Sequence, residues 1–236
     1  MEKLIIGSRG SKLALKYAEI AKKAFLKELD TEIEIKKITT DGDLVLDRRT
    51  SEIGGKGEFI KNIEKELVSK NIDLAVHSLK DVPSVKTKGL RMECFLKRND
   101  PQEVLINKEN LTLDKIKKNS VIGTSSLRRE FQLKHLRPDL NFKLIRGNID
   151  TRIKKLDENQ YDSIVLAKAG LLSLSMENRI AEVFECKKIV PSAGQGTIVI
   201  QSREDDDKLN SVLSKINHFE TSIEAKVERK ILSVLE

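Results

Sequence analysis

The chain has 236 residues, enough for one large domain or two ordinary ones, each with its own core. Charged residues make up 34% and apolar ones 39%, the balance of a soluble globular protein, and no apolar run approaches the length of a bilayer span. The net charge of +7 favours an anionic partner, but no tryptophan and only 4% aromatics leave no stacking platform for bases, so a small polyanion is expected and nucleic acid and membrane are not. Most of the lysines serve solubility. Cys94 and Cys186 do not make a disulfide framework, and Met1 to Gly7 carries no signal-peptide core, so the expected location is cytoplasmic. His77, His135 and His218 are far apart and there is no Cys-x-x-Cys spacing, so no metal site is expected.

Lys3 to Gly7 reads as a strand. Ser11 is placed to cap a helix from Lys12 to Leu29, with Leu13, Tyr17, Ile20, Ala21 and Ala24 on one face and Arg9 just outside its N-terminus. Glu32 to Ile38 alternates as a strand, and then the pattern fails from Thr39 to Lys56. A loop of that length is usually functional or disordered, and glycines on both sides of Lys56 make it a candidate lid over an anion. A helix from Glu58 to Ser69 leads into the apolar run Leu74-Ala75-Val76, a short buried strand that ends in polar residues. Pro83 forbids a helix through that point and holds Val82 extended. Ligands of open α/β sheets bind beyond the carboxyl ends of the strands, which is where Lys80 and Asp81 fall. The bland alternative makes Lys80 and Asp81 a surface ion pair in a turn, worth little.

Arg91 to Leu96 is a further strand, and Arg98-Asn99-Asp100-Pro101 is a turn and a candidate domain crossing. A second α/β series follows. Val121 to Gly123 is a strand, Thr124-Ser125-Ser126 a cap region, and Leu127 to Leu136 a helix. Phe142 to Ile145 is a strand, Ile149 to Glu158 a helix, and Asp162 to Leu166 a strand. Pro191 to Gly196 reads as a second crossing, before a strand from Thr197 to Gln201 and helices over Asp206 to Ile216 and Glu220 to Leu235. Phe219, Ile223, Val227, Ile231 and Leu235 give the last helix an apolar stripe at intervals of four.

One pattern recurs. Arg9 stands before Ser11, Arg128 and Arg129 follow Thr124, Ser125 and Ser126, and Arg146 and Arg152 flank Asn148. Each group sits at a strand end and helix start, where the helix dipole disfavours a cation. Arginines at three such ends make sense if an anion lies between them, and guanidinium matches a carboxylate through two parallel hydrogen bonds.

Taken together these stretches resemble porphobilinogen deaminase, also called hydroxymethylbilane synthase. The residues that carry the likeness are Gly7-Ser8-Arg9-Gly10-Ser11, Gly54-Gly55-Lys56-Gly57, Ala75 to Pro83, Gly123 to Arg129, Leu144 to Asn148 with Thr151-Arg152, and Ala193-Gly194-Gln195-Gly196. The resemblance implies an α/β fold of two lobes like those of periplasmic binding proteins, joined by two crossings. Residues 1–98 with 195–217 would form the first domain, 99–194 the second, and 218–236 the start of a third. It implies stepwise condensation of four porphobilinogen molecules, with release of ammonia, on a dipyrromethane cofactor held by a cysteine of the third domain. By the same resemblance Asp81 is catalytic, while Arg9, Ser11, Lys56, Ser78, Lys80, Thr124, Ser125, Ser126, Arg128, Arg129, Arg146 and Arg152 bind substrate and cofactor.

Two departures stand out. Ser173 occupies a position where the family usually has an arginine, with Lys168 nearby as a substitute. Leu235-Glu236 also falls about where the family continues into its cofactor-attachment loop. The expectation is therefore a chain inactive alone, with a separately supplied third domain as a partner. The alternative is a non-catalytic, two-lobed remnant that binds pyrroles or carboxylates.

Overall fold

The computed structural model describes residues 3–40, 57 and 59–235. They form two five-stranded mixed sheets. In the first, β1 (Lys3–Arg9), β2 (Glu32–Ile38) and β3 (Leu74–Ser78) run parallel, with α1 (Lys12–Phe25) and α2 (Lys61–Val68) as the crossovers. β4 (Leu90–Phe95) lies at the far edge. In the second, β6 (Val121–Gly123), β7 (Asn141–Lys143) and β8 (Ser163–Ala167) run parallel, linked by α3 (Leu127–Leu136) and α4 (Ile149–Asp157). A short helix, α5 (Lys168–Ser173), follows β8, and β9 (Glu182–Phe184) closes that sheet's edge.

Each sheet also holds one strand that enters from a crossing and runs antiparallel to its neighbours. β5 (Glu103–Ile106) follows Pro101 and lies between β8 and β9, and β10 (Ile198–Arg203) follows Gly196 and lies between β3 and β4. The helices α6 (Asp207–Ile216) and α7 (Phe219–Leu235) complete the described residues.

The apolar runs are continuous because these strands are covered on both faces. Leu74 and Val76 pack with Leu4, Ile6 and Phe25 under α1 and α6, while Ala75 faces Ile63 and Leu67 of α2. In the second sheet Val104, Ile106, Ile164 and Leu166 face α4, and Leu105 and Val165 face Leu133 of α3. Burial of each large side chain of this kind contributes ~1.5–3 kcal/mol.

Several boundaries differ from expectation. The helix α1 stops at Phe25 rather than Leu29, because the chain turns back through residues 26–28 to enter β2, and Leu29 packs on the core from that turn. The helix α2 begins at Lys61 rather than Glu58; Ile60 stands at its N-cap without a side-chain hydrogen bond. The strands β5 and β9, four and three residues long, and the short α5 were not expected at all.

The two crossings are bound to each other. Asn99 N–H donates to Gly196 O at 2.9 Å, Arg98 Nε to Gln195 O at 3.0 Å, and Gln195 Nε2 to Pro101 O at 2.6 Å. Only glycine fits at 196. Its φ is +85°, and a Cβ there would lie 2.3 Å from Asn99 O.

The helix α7 is fastened over this junction. Arg98 reaches Glu228 at 2.7 and 3.1 Å, Gly194 N–H donates to Glu228 at 2.7 Å, and Arg229 donates to the carbonyls of Val82, Pro83 and Ser84. It also exposes Phe219, Ile223, Val227, Ile231, Val234 and Leu235. No helix among the described residues is long and apolar enough to cross a membrane.

Candidate active site

The carboxyl ends of the parallel strands of both sheets open onto one cleft of about 670 Å³. On its first wall β3 gives way to a 3₁₀ turn over Leu79–Asp81, tied down by Leu79 N–H to Thr197 O at 3.0 Å and Val82 N–H to Leu79 O at 3.1 Å. Buried Leu79 anchors this turn, which leaves Lys80 and Asp81 facing the cleft. They do not form the ion pair of the bland reading. Lys80 Nζ donates instead to Gln195 Oε1 at 3.3 Å. Burial and the neighbouring Arg129 lower Lys80 to about 8, against the opposing pull of Asp81 and Glu103.

A chain of polar contacts runs from the exposed Thr87 to the buried His77. Thr87 Oγ1 donates to Glu64 at 2.7 Å, Gln201 Nε2 donates to the other Glu64 oxygen at 2.7 Å, and His77 Nε2 lies 3.1 Å from Gln201 Oε1. A carboxylate accepts only, so Glu64 orients the Gln201 amide and leaves its oxygen to accept from His77 Nε2–H. Burial lowers His77 to about 4 and keeps the ring neutral. Among the described residues no group of His, Cys, Asp and Glu is placed to hold a metal ion.

The arginines come from both lobes. Arg9, at the end of β1, lies over the Phe59 ring at 4.4 Å. Arg128 and Arg129 occupy the first turn of α3, whose cap is Ser126. Arg152 Nε donates to Gly147 O at 2.7 Å, and burial together with Arg129 and Arg146 lowers it to about 10. Arg146, 5% exposed, is lowered by burial and by Arg9 across the cleft. Cations that depress one another in this way are stabilised by an anion placed among them.

Arg9, Ser11, Ser78, Lys80, Asp81, Ser125, Ser126, Arg128, Arg129, Arg146 and Arg152 all line this one cleft. Thr124 does not. It is 1% exposed, and its Oγ1 accepts from Ser126 N–H at 3.2 Å, which shapes the turn before α3. Ser11 Oγ accepts from Ala14 N–H at 3.2 Å as a helix cap, and its hydroxyl proton remains available to a ligand. Lys56 lies outside the described residues. Lys168 does not replace the missing arginine: its Nζ pairs with Asp100 at 2.6 Å in the first crossing. Ser173 Oγ turns back to Ala169 O at 2.8 Å.

Sequence reasoning did not single out Glu103, Gln195 or Phe59 as parts of the site, and it read Tyr17 only as a core residue. Tyr17 lines the cleft, and burial raises it to about 12. Glu103 is fully buried and joins Arg128 and Arg129. The available signal was an acid opening the apolar run Val104-Leu105-Ile106, a position that demands cationic partners.

Residues 4–211 match the family model described as porphobilinogen deaminase, dipyromethane cofactor binding domain. The chain belongs to the porphobilinogen deaminase family. It is 45% identical to the porphobilinogen deaminase of Oceanobacillus iheyensis over 241 residues, covering all of this chain and 77% of the relative. It is 43% identical to that of Chlorobium phaeovibrioides, covering all of this chain and 75% of the relative. Among solved structures, the VFT2 domain of Bordetella pertussis BvgS superposes with a TM-score of 0.53 at 13% identity, over 96% of this chain and 92% of that one. A lipoprotein of Bacillus subtilis gives 0.54 at 13% identity, over 94% and 92%. These neighbours show the two-lobed, periplasmic-binding-protein-like fold that this porphobilinogen deaminase family member shares.

Proposed function

We propose that this chain is a transferase of tetrapyrrole biosynthesis that condenses porphobilinogen units, four to each hydroxymethylbilane, with release of ammonia. The observation that carries this reading is Asp81. It is a carboxylate at a strand end, without an ion pair among the described residues, in a cleft walled by Arg9, Lys80, Arg128, Arg129, Arg146 and Arg152. The other acid of the cleft among the described residues, Asp150, pairs with Lys12 at 3.1 Å.

Each porphobilinogen carries an acetate and a propionate, which the arginines bind in bidentate fashion. Ser11, Ser78, Ser125 and Ser126 add hydrogen bonds. When the aminomethyl nitrogen leaves as ammonia, the pyrrole becomes a cationic azafulvene. The fixed charge of Asp81 stabilises that cation as it develops and accepts a hydrogen bond from the pyrrole N–H.

The residues also fit a dipyrromethane. Buried Arg129 Nε–H has no acceptor among the described residues and suits one of that group's carboxylates. The chemistry supplied by a bound dipyrromethane is a nucleophilic pyrrole carbon.

We divide the chain at 98/99, 194/195 and 217/218. The exposed apolar stripe of α7 is the surface we assign to a third domain, in the same chain or supplied separately. Two free cysteines support a reducing, cytoplasmic setting.

The test is ammonia release from porphobilinogen, measured with the chain alone and with a third domain added. Asp81→Asn keeps the shape and removes the charge, and it should lower turnover by ~10²–10³ with the melting midpoint unchanged. Wild-type turnover in that variant would dismiss Asp81. Binding of porphobilinogen without ammonia release in either format would leave a pyrrole-binding protein.

A further inference from the structure

Glu103 opens β5 directly after the first crossing, opposite Ala167 of β8 and Phe184 of β9, and none of it reaches solvent. A buried carboxylate is tolerated only when it is paired, and this one is paired twice. Its Oε1 accepts from Arg128 Nη2, and its Oε2 lies 2.8 Å from Arg129 Nη2. Each guanidinium is gripped a second time by a main-chain carbonyl, Arg128 by Val190 O and Arg129 by Val165 O at 2.9 Å. Held at two points, neither side chain can rotate freely, and both still line the cleft. The buried Nε–H of Arg129 is left without an acceptor among the described residues. Burial alone would raise the Glu103 carboxyl, but Arg129, Arg128 and Lys80 hold it at about 2, so it stays charged throughout the physiological range.

We infer that Glu103 is a positioning residue: one buried carboxylate splays Arg128 and Arg129 so that their remaining N–H donors face the carboxylates of a cleft ligand. It touches no ligand itself. It acts by cancelling part of the local positive charge and by removing the rotational freedom that binding would otherwise have to freeze. That the ligand is a carboxylated pyrrole rests on the proposed function. That Glu103 orients the two arginines does not.

Charge and shape are separable here. Glu103→Gln keeps the volume and one acceptor but loses the charge, whereas Glu103→Asp keeps the charge and is one methylene shorter. A packing role ranks Gln above Asp; a charge-based positioning role ranks Asp above Gln. The experiment has two arms on the full chain. The first is modification by phenylglyoxal, read at each arginine by peptide mass spectrometry. In Glu103→Gln the rates at Arg128 and Arg129 should rise by about tenfold, as expected when a charge-assisted pair is lost, with Arg137 and Arg203 as unchanged internal controls. Glu103→Asp should return most of the protection.

The second arm is calorimetric binding of porphobilinogen. Glu103→Gln should weaken it by about tenfold in the wild-type background and by less than about twofold in an Arg128→Ala/Arg129→Ala background, since the effect passes through those residues. Unchanged modification of Arg128 and Arg129 in Glu103→Gln, or Gln outperforming Asp, would overturn the inference. So would equal loss of binding in both backgrounds. If the wild-type chain binds no porphobilinogen, the functional reading fails while the modification arm still decides the role of Glu103.

Discussion

A lysine in water keeps its proton to a pH of about 10.4, but burial and Arg129 bring Lys80 down to about 8. The cost of burying its charge is therefore felt in full below pH 8 and fades as pH rises toward 10.5, so Lys80 does not stabilise the fold at neutral pH. On the proposed function its benefit lies with a ligand, because a bound carboxylate would restore the preference for the charged form. Affinity for porphobilinogen should weaken by up to about tenfold per pH unit above that value, and Lys80→Arg should flatten the profile. Titration calorimetry across that range checks it, and a flat wild-type profile would remove Lys80 from the binding set. His77 obeys the same linkage in a lower window. Its folded value of about 4 lies below the ordinary 6.5, so the stability gained by keeping the ring neutral is present above 6.5 and lost as pH falls toward 4. His77→Gln should flatten that part of the stability curve in denaturant titrations. A slope unchanged from wild type would show that the ring contributes nothing there.

Between the lobes, Ala193-Gly194-Gln195-Gly196 is bound to the first crossing. A Cβ at Gly196 meets backbone oxygens of Asn99 and Asp100 rather than a movable side chain, and φ is +85°. Gly196→Ala should cost ~2–4 kcal/mol by denaturant midpoint, and a loss within ~0.5 kcal/mol would mean that the crossings separate easily. The helix α7 provides the contrasting case. Ile223 and Val227 are 49% and 54% exposed, so lysine at either should change stability by no more than ~0.5 kcal/mol, whereas Arg229→Ala frees three carbonyls beside Asp81 and should cost more. The parallel strands and most helices were legible because their apolar runs are long, and Ser11 and Ser126 announced two helix starts. The strands β5 and β9 were not, since four and three residues carry too little periodicity and their pairing depends on partners about 60 and 80 residues away. The same blindness hid Glu103. Its role exists only once β5 lies beside β8 and brings it under α3.

At the scale of the whole molecule, the two sheets point their strand ends at one another, and the cations of the two lobes face across the gap. Arg9 belongs to the first sheet and Arg146 follows β7 of the second, yet Arg9 is close enough to depress Arg146. On the proposed function, a dianionic pyrrole seated between the lobes meets both cations at once. The motif spacing made the arginine cluster legible, but not that Arg9 and Arg146 would come from opposite lobes of one cleft; that follows from the crossings. Porphobilinogen should raise the melting midpoint in proportion to the logarithm of its concentration, as any ligand of the folded state does. Arg9→Ala and Arg146→Ala should each weaken binding by about tenfold, and added salt should weaken wild-type binding more than that of either variant. Because both groups meet one ligand, the double variant should lose less than the product of the single losses. Strict additivity would place the two arginines at separate subsites, with the pyrrole contacting one lobe at a time, and an unchanged affinity in both single variants would return them to the solvated surface.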